Sequence, residues 1–248
     1  VTSVEISHAT PAAVYAHNSS RNNYAAIAFE GIYGSNPLKD MRNNSSDPRG
    51  GDNNNYDAMN YHGNFAVLMG AGHGDYDNNG NVNALLTNRY VGGDAAWADV
   101  IDGSPPNDWT FIEQNADFEA IAAGNNVPDK LLGIAQVHET LQYRRGNTSE
   151  DLNNPSGAAF NANVPSLATM TTASLNVLAR NTNGFAVMIE GGAIDWAGHD
   201  SNLPRQIEES MDFDDAVQAA VDWINAYDPT WSETLLVVTS DHETGDLW

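Results

Sequence analysis

Two apolar runs, each closing on a carboxylate and then a histidine, constrain this chain more than any other feature. Gly184–His199 reads GFAVMIEGGAIDWAGH, and Leu235–Glu243, about fifty residues on, reads LLVVTSDHE. Phe185–Ile189 and Leu235–Thr239 are short and almost wholly apolar, the pattern of strands buried on both faces of a sheet. Between them, Pro204–Ala226 spaces Ile207, Met211, Ala216, Ala220 and Ile224 as a long helix would. Strand, helix, strand in that order predicts parallel neighbours, and in such sheets ligands bind beyond the carboxyl ends of the strands. Both carboxylate–histidine pairs are therefore expected at one sheet edge.

Earlier segments continue the alternation. Thr10 before Pro11 reads as an N-cap with proline at the first helical position, leading into Ala12, Ala13 and Ala16. Phe65–Met69 and Leu131–Ala135 read as short buried strands, and Ser166–Ala179 as a helix stopped by the turn at Asn181–Gly184. The expected fold is α/β, a three-layer α/β/α sandwich around a mostly parallel sheet. With 248 residues, 41% of them hydrophobic, residues 1–248 are expected to share one core as a single domain. Residues 35–60 and 73–110 break the rhythm with Asn, Asp and Gly, and are expected as surface insertions. Within the second, DYDNNGNVN resembles the first half of a calcium loop, with oxygen donors at Asp75, Asp77 and Asn79 and a glycine at Gly80. Leu86 stands where the closing Glu of such a loop belongs, so an Asn-rich turn is the expected reading and calcium the alternative.

Charge and composition exclude several classes. The chain has 33 acidic and 10 basic residues and a formal charge of −23, which excludes the basic footprint of a nucleic-acid binder. No apolar run reaches membrane-spanning length. Without cysteine there are no disulfides and no thiolate ligands, so a metal must be held by histidine and carboxylate. An acidic, lysine-poor surface also suits a secreted protein from a salty habitat, where ions screen its self-repulsion.

Asp195 and His199 are four residues apart, so on a helical turn they share one face and reach one ion. Asp241 and His242 are adjacent and would point to opposite faces of a regular strand. They serve one site only if the chain leaves the strand near Ser240, where the apolar run ends. Glu190 closes the first strand, and Gly191 with Gly192 lets the backbone turn toward Asp195. Blander readings stay open for single residues: a carboxylate at a helix start is often a dipole partner, Thr10 a cap, Arg21 a solvated cation and Trp196 a half-exposed aromatic. Two such constellations in one sheet favour metal binding. His17, His62, His73 and His138 show no partner spacing and are expected as ordinary surface or core histidines.

The pattern EGGxID-x-x-x-H followed by a strand ending in DH, here Glu190 to His199 and then Asp241–His242, closely resembles the alkaline phosphatases. The opening stretch VTSVEISHATPAAVYAHNSSRNNY resembles the same family, in which an H-A-[ST]-P-A segment leads through a short helix to an arginine. The resemblance implies that Asp195 and His199 ligate a first zinc, Asp241 and His242 a second, and Thr10 and Glu190 a magnesium ion. It also implies that Arg21 grips the substrate phosphate with its planar guanidinium, and that His8 and Trp196 lie beside that site and act through outer contacts. The pairing of His8 with Trp196 places the chain nearer the marine bacterial branch than the enteric one.

The activity so implied is hydrolysis of phosphate monoesters at alkaline pH through a phosphoserine, by a periplasmic or secreted homodimer. The family's serine belongs upstream of residue 1 and a remaining histidine ligand downstream of residue 248. The chain therefore reads as an internal portion of a longer enzyme, incomplete at both ends. A phosphodiesterase, sulfatase or phosphomutase of the same superfamily would reuse the same ligands, and a non-catalytic acidic cation-binding protein is the alternative outside enzymes.

Overall fold

A computed structural model describes residues 1–16, 18, 20–33, 65–83, 87–102, 108–146 and 158–245. Its strands are β1 (Val67–Gly70), β2 (Thr110–Ile112) and β3 (Leu131–Ile134), parallel and in the order β1-β3-β2. The helices are α1 (Ala9–Tyr15), α2 (Tyr24–Tyr33), α3 (Asp94–Ile101), α4 (Asn115–Ala122), α5 (Leu167–Leu178), α6 (Ala193–His199) and α7 (Leu203–Tyr227).

Side chains alternate across a strand, and two cores follow from that. Met69, Ile112 and Leu131 meet Phe118 of α4 and Leu167 and Met170 of α5 on one face. Leu68, Leu132 and Ile134 meet Ile32 of α2 and Trp97 and Val100 of α3 on the other. This is the three-layer sandwich expected from the sequence. Gly133 on β3 permits the first packing, since a Cβ there would lie 2.6 Å from the Phe118 ring and 2.9 Å from Met69.

The sheet runs on past β1 through single bridges. Thr2 N donates to Met69 O at 3.0 Å and Ala71 N to Val4 O at 2.8 Å, while on the other side Ser3 N donates to Glu190 O and Glu190 N to Val1 O, both at 3.0 Å. The bridges Thr2 to Glu190 and Glu5 to Ala71 are parallel. The order is thus 188–190, 1–6, β1, β3, β2. This gathers Glu190, Ser7 and Ala71 at one carboxyl edge.

Caps set the long helices. Ser166 accepts from Thr169 N at 3.1 Å at the start of α5. Asn202 accepts from Arg205 N at 3.3 Å at the start of α7, where Pro204 occupies the first turn.

Several expectations are corrected. The N-cap of α1 is His8, because Ala12 N bonds to His8 O at 2.9 Å, so Thr10 lies inside the first turn. Leu235–Thr239 forms no ladder among the described residues, and Leu235 and Val237 are 86% and 68% exposed. Phe185–Ile189 gains partners only toward its end, where Val1 and Ser3 meet Met188 and Glu190. An apolar run makes a strand only where another backbone lies alongside to satisfy its amides. Ile207 and Met211 are exposed, because the buried stripe of α7 runs through Arg205, Glu209, Ala216, Ala220 and Ile224 on the opposite side. The described part of 73–110 does not lie wholly on the surface: Val91, Trp97, Val100 and Trp109 are buried in the second core. The stretch 35–60 lies outside the described residues.

Candidate functional site

Helix α6 presents Asp195 in its first turn and His199 in its last. Their i,i+4 spacing leaves His199 Nε2 3.4 Å from Asp195 Oδ1, with the imidazole largely exposed. Thr244 and Gly245 lie against this helix. A Cβ at Gly198 would meet the Thr244 carbonyl at 2.6 Å, so glycine is what allows the two backbones to approach.

The approach brings the two sequence motifs together through a residue belonging to neither. Thr244 Oγ1 donates to Asp195 Oδ1 and lies 3.1 Å from His242 Nδ1. His242 Nδ1 is also 2.9 Å from the Glu243 carbonyl, which can only accept, so the proton sits on Nδ1 and Nε2 is left as the outward nitrogen. Ser240 Oγ donates to the His242 carbonyl at 2.7 Å, marking where the chain leaves its extended path. Consequently Asp241 and His242 share one side, with Oδ2 3.4 Å from Nε2. The Glu243 carbonyl, then Asp241 and Asp195, push the His242 pKa upward.

The strand ends supply the rest. Glu190 is fixed by backbone bonds to Val1 and Ser3, and its Oε2 accepts from Thr2 Oγ1 at 2.5 Å. His8 is buried with its ring 5.2 Å from that of Trp196, and its Nδ1 has no hydrogen-bond partner among the described residues. Burial, reinforced by Arg21 and opposed by Asp195, lowers the His8 pKa to about 4. Arg21 and Asp195 therefore both lie within electrostatic reach of this ring. Arg21 itself is exposed, and Thr10 is half-buried in α1.

Among the described residues no three His, Asp or Glu side chains stand together as a metal cage. Asp195–His199 and Asp241–His242 are two nitrogen-and-oxygen pairs joined by Thr244, and their donor types fit zinc. Thr10 and Glu190 offer hard oxygens of the kind magnesium takes.

Sequence reasoning missed Thr244, Glu5 and Arg144. Glu5 is buried with Oε2 unpartnered among the described residues, and burial, with Glu139 and Glu190 adding to it, raises its pKa to about 8. Its signal was an acidic residue inside the apolar run Val4–Ile6. The guanidinium of Arg144 lies 5.3 Å from the Trp196 ring, and its signal was a pair of adjacent arginines in a chain with 10 basic residues. The oxygens of the 75–83 loop face N–H donors: Asp77 Oδ1 accepts from Asn79 N and Asn81 N, and Asp75 Oδ2 from Trp97 Nε1. Such a loop is a self-closed turn rather than a calcium cradle. His73 is buried with Nε2 2.9 Å from Glu113 Oε2, and His138 is buried against the His73 carbonyl. His17 and His62 lie outside the described residues.

The family model described as alkaline phosphatase matches residues 1–247. This chain belongs to the alkaline phosphatase family. It is 28% identical over 244 residues to the alkaline phosphatase of Escherichia coli, covering 98% of this chain and 48% of that one. It is 27% identical over 245 residues to alkaline phosphatase 4 of Bacillus subtilis, covering 99% and 40%. The cold-active alkaline phosphatase of a psychrophilic Shewanella superposes with a TM-score of 0.53 at 22% identity, over 91% of this chain and 39% of that one. The alkaline phosphatase of the Antarctic bacterium TAB5 does so at 0.51 and 23%, over 91% and 48%, and a mutant of it holds magnesium in a site designated M3. The structural likenesses bear on the fold. The chain spans less than half the length of these relatives.

Proposed function

We propose that these residues form part of an enzyme that hydrolyses phosphate monoesters at alkaline pH through a phosphoserine, with two zinc ions and one magnesium ion. Asp195 with His199 and Asp241 with His242 would hold the zinc ions, and Thr10 with Glu190 the magnesium. Bound zinc supplies Lewis-acid polarisation of a phosphoryl oxygen and lowers the pKa of an attacking hydroxyl. The Arg21 guanidinium would hold two equatorial phosphate oxygens, a task its planar fork suits. His8, kept neutral above about pH 4 by burial, offers Nδ1 for a hydrogen bond rather than a charge. No serine of these 248 residues is assigned as the nucleophile.

The observation that carries this reading is Thr244. Its hydroxyl meets Asp195 and His242 at once, which brings the two ligand pairs of this reading side by side. The family resemblance supports a homodimer, and together with the acidic composition it supports export to the periplasm or the medium. Among the described residues no helix is long and apolar enough to cross a membrane.

The test is His242→Ala in the full-length protein, read by bound zinc and by rates on phosphate monoester, phosphodiester and sulfate ester. The expected result is loss of zinc and a fall in monoester kcat/KM on the order of 100-fold or more, since even partners behind a ligand cost 10–100-fold. Unchanged zinc and activity would overturn the reading, and a wild-type preference for diester or sulfate would move it to another reaction of the superfamily.

A further inference from the structure

We propose that Arg144 is a substrate-positioning residue for phosphate, a second guanidinium in addition to Arg21, held against Trp196. The inference rests on the phosphatase reading and assigns it a residue that the mechanism above does not use.

The segment after β3 is fastened to the helix that bears Asp195 and His199. Tyr143 packs with Val4, Ala193 and Ala197, and its hydroxyl donates to Asp200 Oδ2 just past the end of α6. Arg144 N donates to Thr140 Oγ1 at 2.9 Å. The guanidinium cannot drift far from this anchorage, and it settles 5.3 Å from the rings of both Tyr143 and Trp196, a cation–π geometry. With the His8 ring 5.2 Å from Trp196, the aromatic links the Arg144 cation to the site that also feels Arg21 and Asp195.

Among the described residues Arg144 is not consumed by a tight ion pair. Its carboxylate partner among them, Asp200, is 3.7 Å away, beyond hydrogen-bond reach, and the oxygen concerned already takes the Tyr143 hydroxyl. Its Nε is buried without a partner among the described residues, while the side chain as a whole stays 36% exposed. A planar cation is thus held in place with donors to spare. In a chain of formal charge −23, a phosphate dianion meets net repulsion, so one fixed cation beside Trp196 weighs heavily on its capture.

The experiment compares wild type, Arg144→Met, Arg144→Lys and Arg180→Met in the full-length, metal-loaded protein. The readouts are KM and kcat for p-nitrophenyl phosphate, and the affinity for inorganic phosphate by calorimetry. Arg144→Met keeps the stem and removes the charge. It should raise KM and weaken phosphate binding by roughly three- to tenfold without loss of kcat, as expected for one removed rim charge. Arg144→Lys should recover more than half of that loss. Arg180, exposed and paired with Asp129, controls for net charge and should leave both constants within about twofold.

Unchanged KM and phosphate affinity in Arg144→Met would overturn the assignment, as would a lysine variant no better than the methionine one. If the wild type hydrolyses no phosphate ester, the phosphatase reading fails instead, and the phosphate affinities still decide the role of Arg144.

Discussion

At the scale of single residues, Thr244 has the largest leverage for its size. A hydroxyl that donates to Asp195 while abutting the protonated nitrogen of His242 fixes the orientation of both side chains, the ligands of the proposed zinc sites. Thr244→Val, nearly equal in volume, should lower zinc affinity by roughly 10–100-fold, measured by competition with a chelator, whereas Thr244→Ser should stay near wild type. Equal zinc affinity in the valine variant would show that the hydroxyl is incidental. The pair Asp195–His199 was legible because helical spacing puts both on one face, and Asp241–His242 because the apolar run ends at Ser240, where the chain can turn. Thr244 was not, since nothing in a sequence says which residue beyond a motif folds back onto a helix fifty residues earlier. The same limit hid Arg144, whose partner Trp196 is brought to it only by the seating of Tyr143 on α6.

Among the elements, the two long helices were the most legible, whereas α2, α3 and α4 were not anticipated. The spans expected from spacing, Ser166–Ala179 and Pro204–Ala226, match the observed α5 (Leu167–Leu178) and α7 (Leu203–Tyr227) to within a residue at each end. Ser166→Ala should cost about 1 kcal/mol of stability, read as a lower urea midpoint with an unchanged slope. A shift indistinguishable from zero would mean that another group replaces the cap. Strands were less legible, because a strand is a relation between two segments. Leu235–Thr239 has the composition of a buried strand and stands exposed, while Val1–Ile6, with Thr2, Ser3 and Glu5 among its six residues, lies inside the sheet. Polarity misled there, and again in 73–110, where Trp97 and Trp109 enter the core from a stretch dominated by Asn, Asp and Gly. The Thr10 cap failed for a related reason: a proline at the following position suits any place in a helix's first turn, so it does not fix the cap to one residue.

For the molecule as a whole, stability and pH are linked through the buried charges beneath α7. Arg145 and Arg205 are both buried and share Glu208 Oε2, at 2.7 and 3.0 Å. Beside them Glu209 is buried, and its pKa is raised to about 8 by burial, with Asp212 and Glu208 adding to the rise and the two arginines opposing it. The folded chain therefore keeps this proton to about pH 8, whereas the unfolded chain loses it near the ordinary value of 4.5. The stabilisation it contributes is fully present below pH 4.5 and is lost as pH rises toward 8. Urea midpoints between pH 5 and 8.5 should fall more steeply for wild type than for Glu209→Gln, and parallel curves would place the titration elsewhere.

Strand order has a further consequence, in time rather than in space. Val1 and Ser3 bond on one side to Met188 and Glu190, across 187 positions of sequence. At about 5–20 residues per second of synthesis, roughly 10–40 s separate the emergence of these partners from the ribosome. Throughout that interval the outer edge of 1–3 is an open template of unpaired amides, and a nascent chain of this order depends on being shielded until its last interior neighbour arrives.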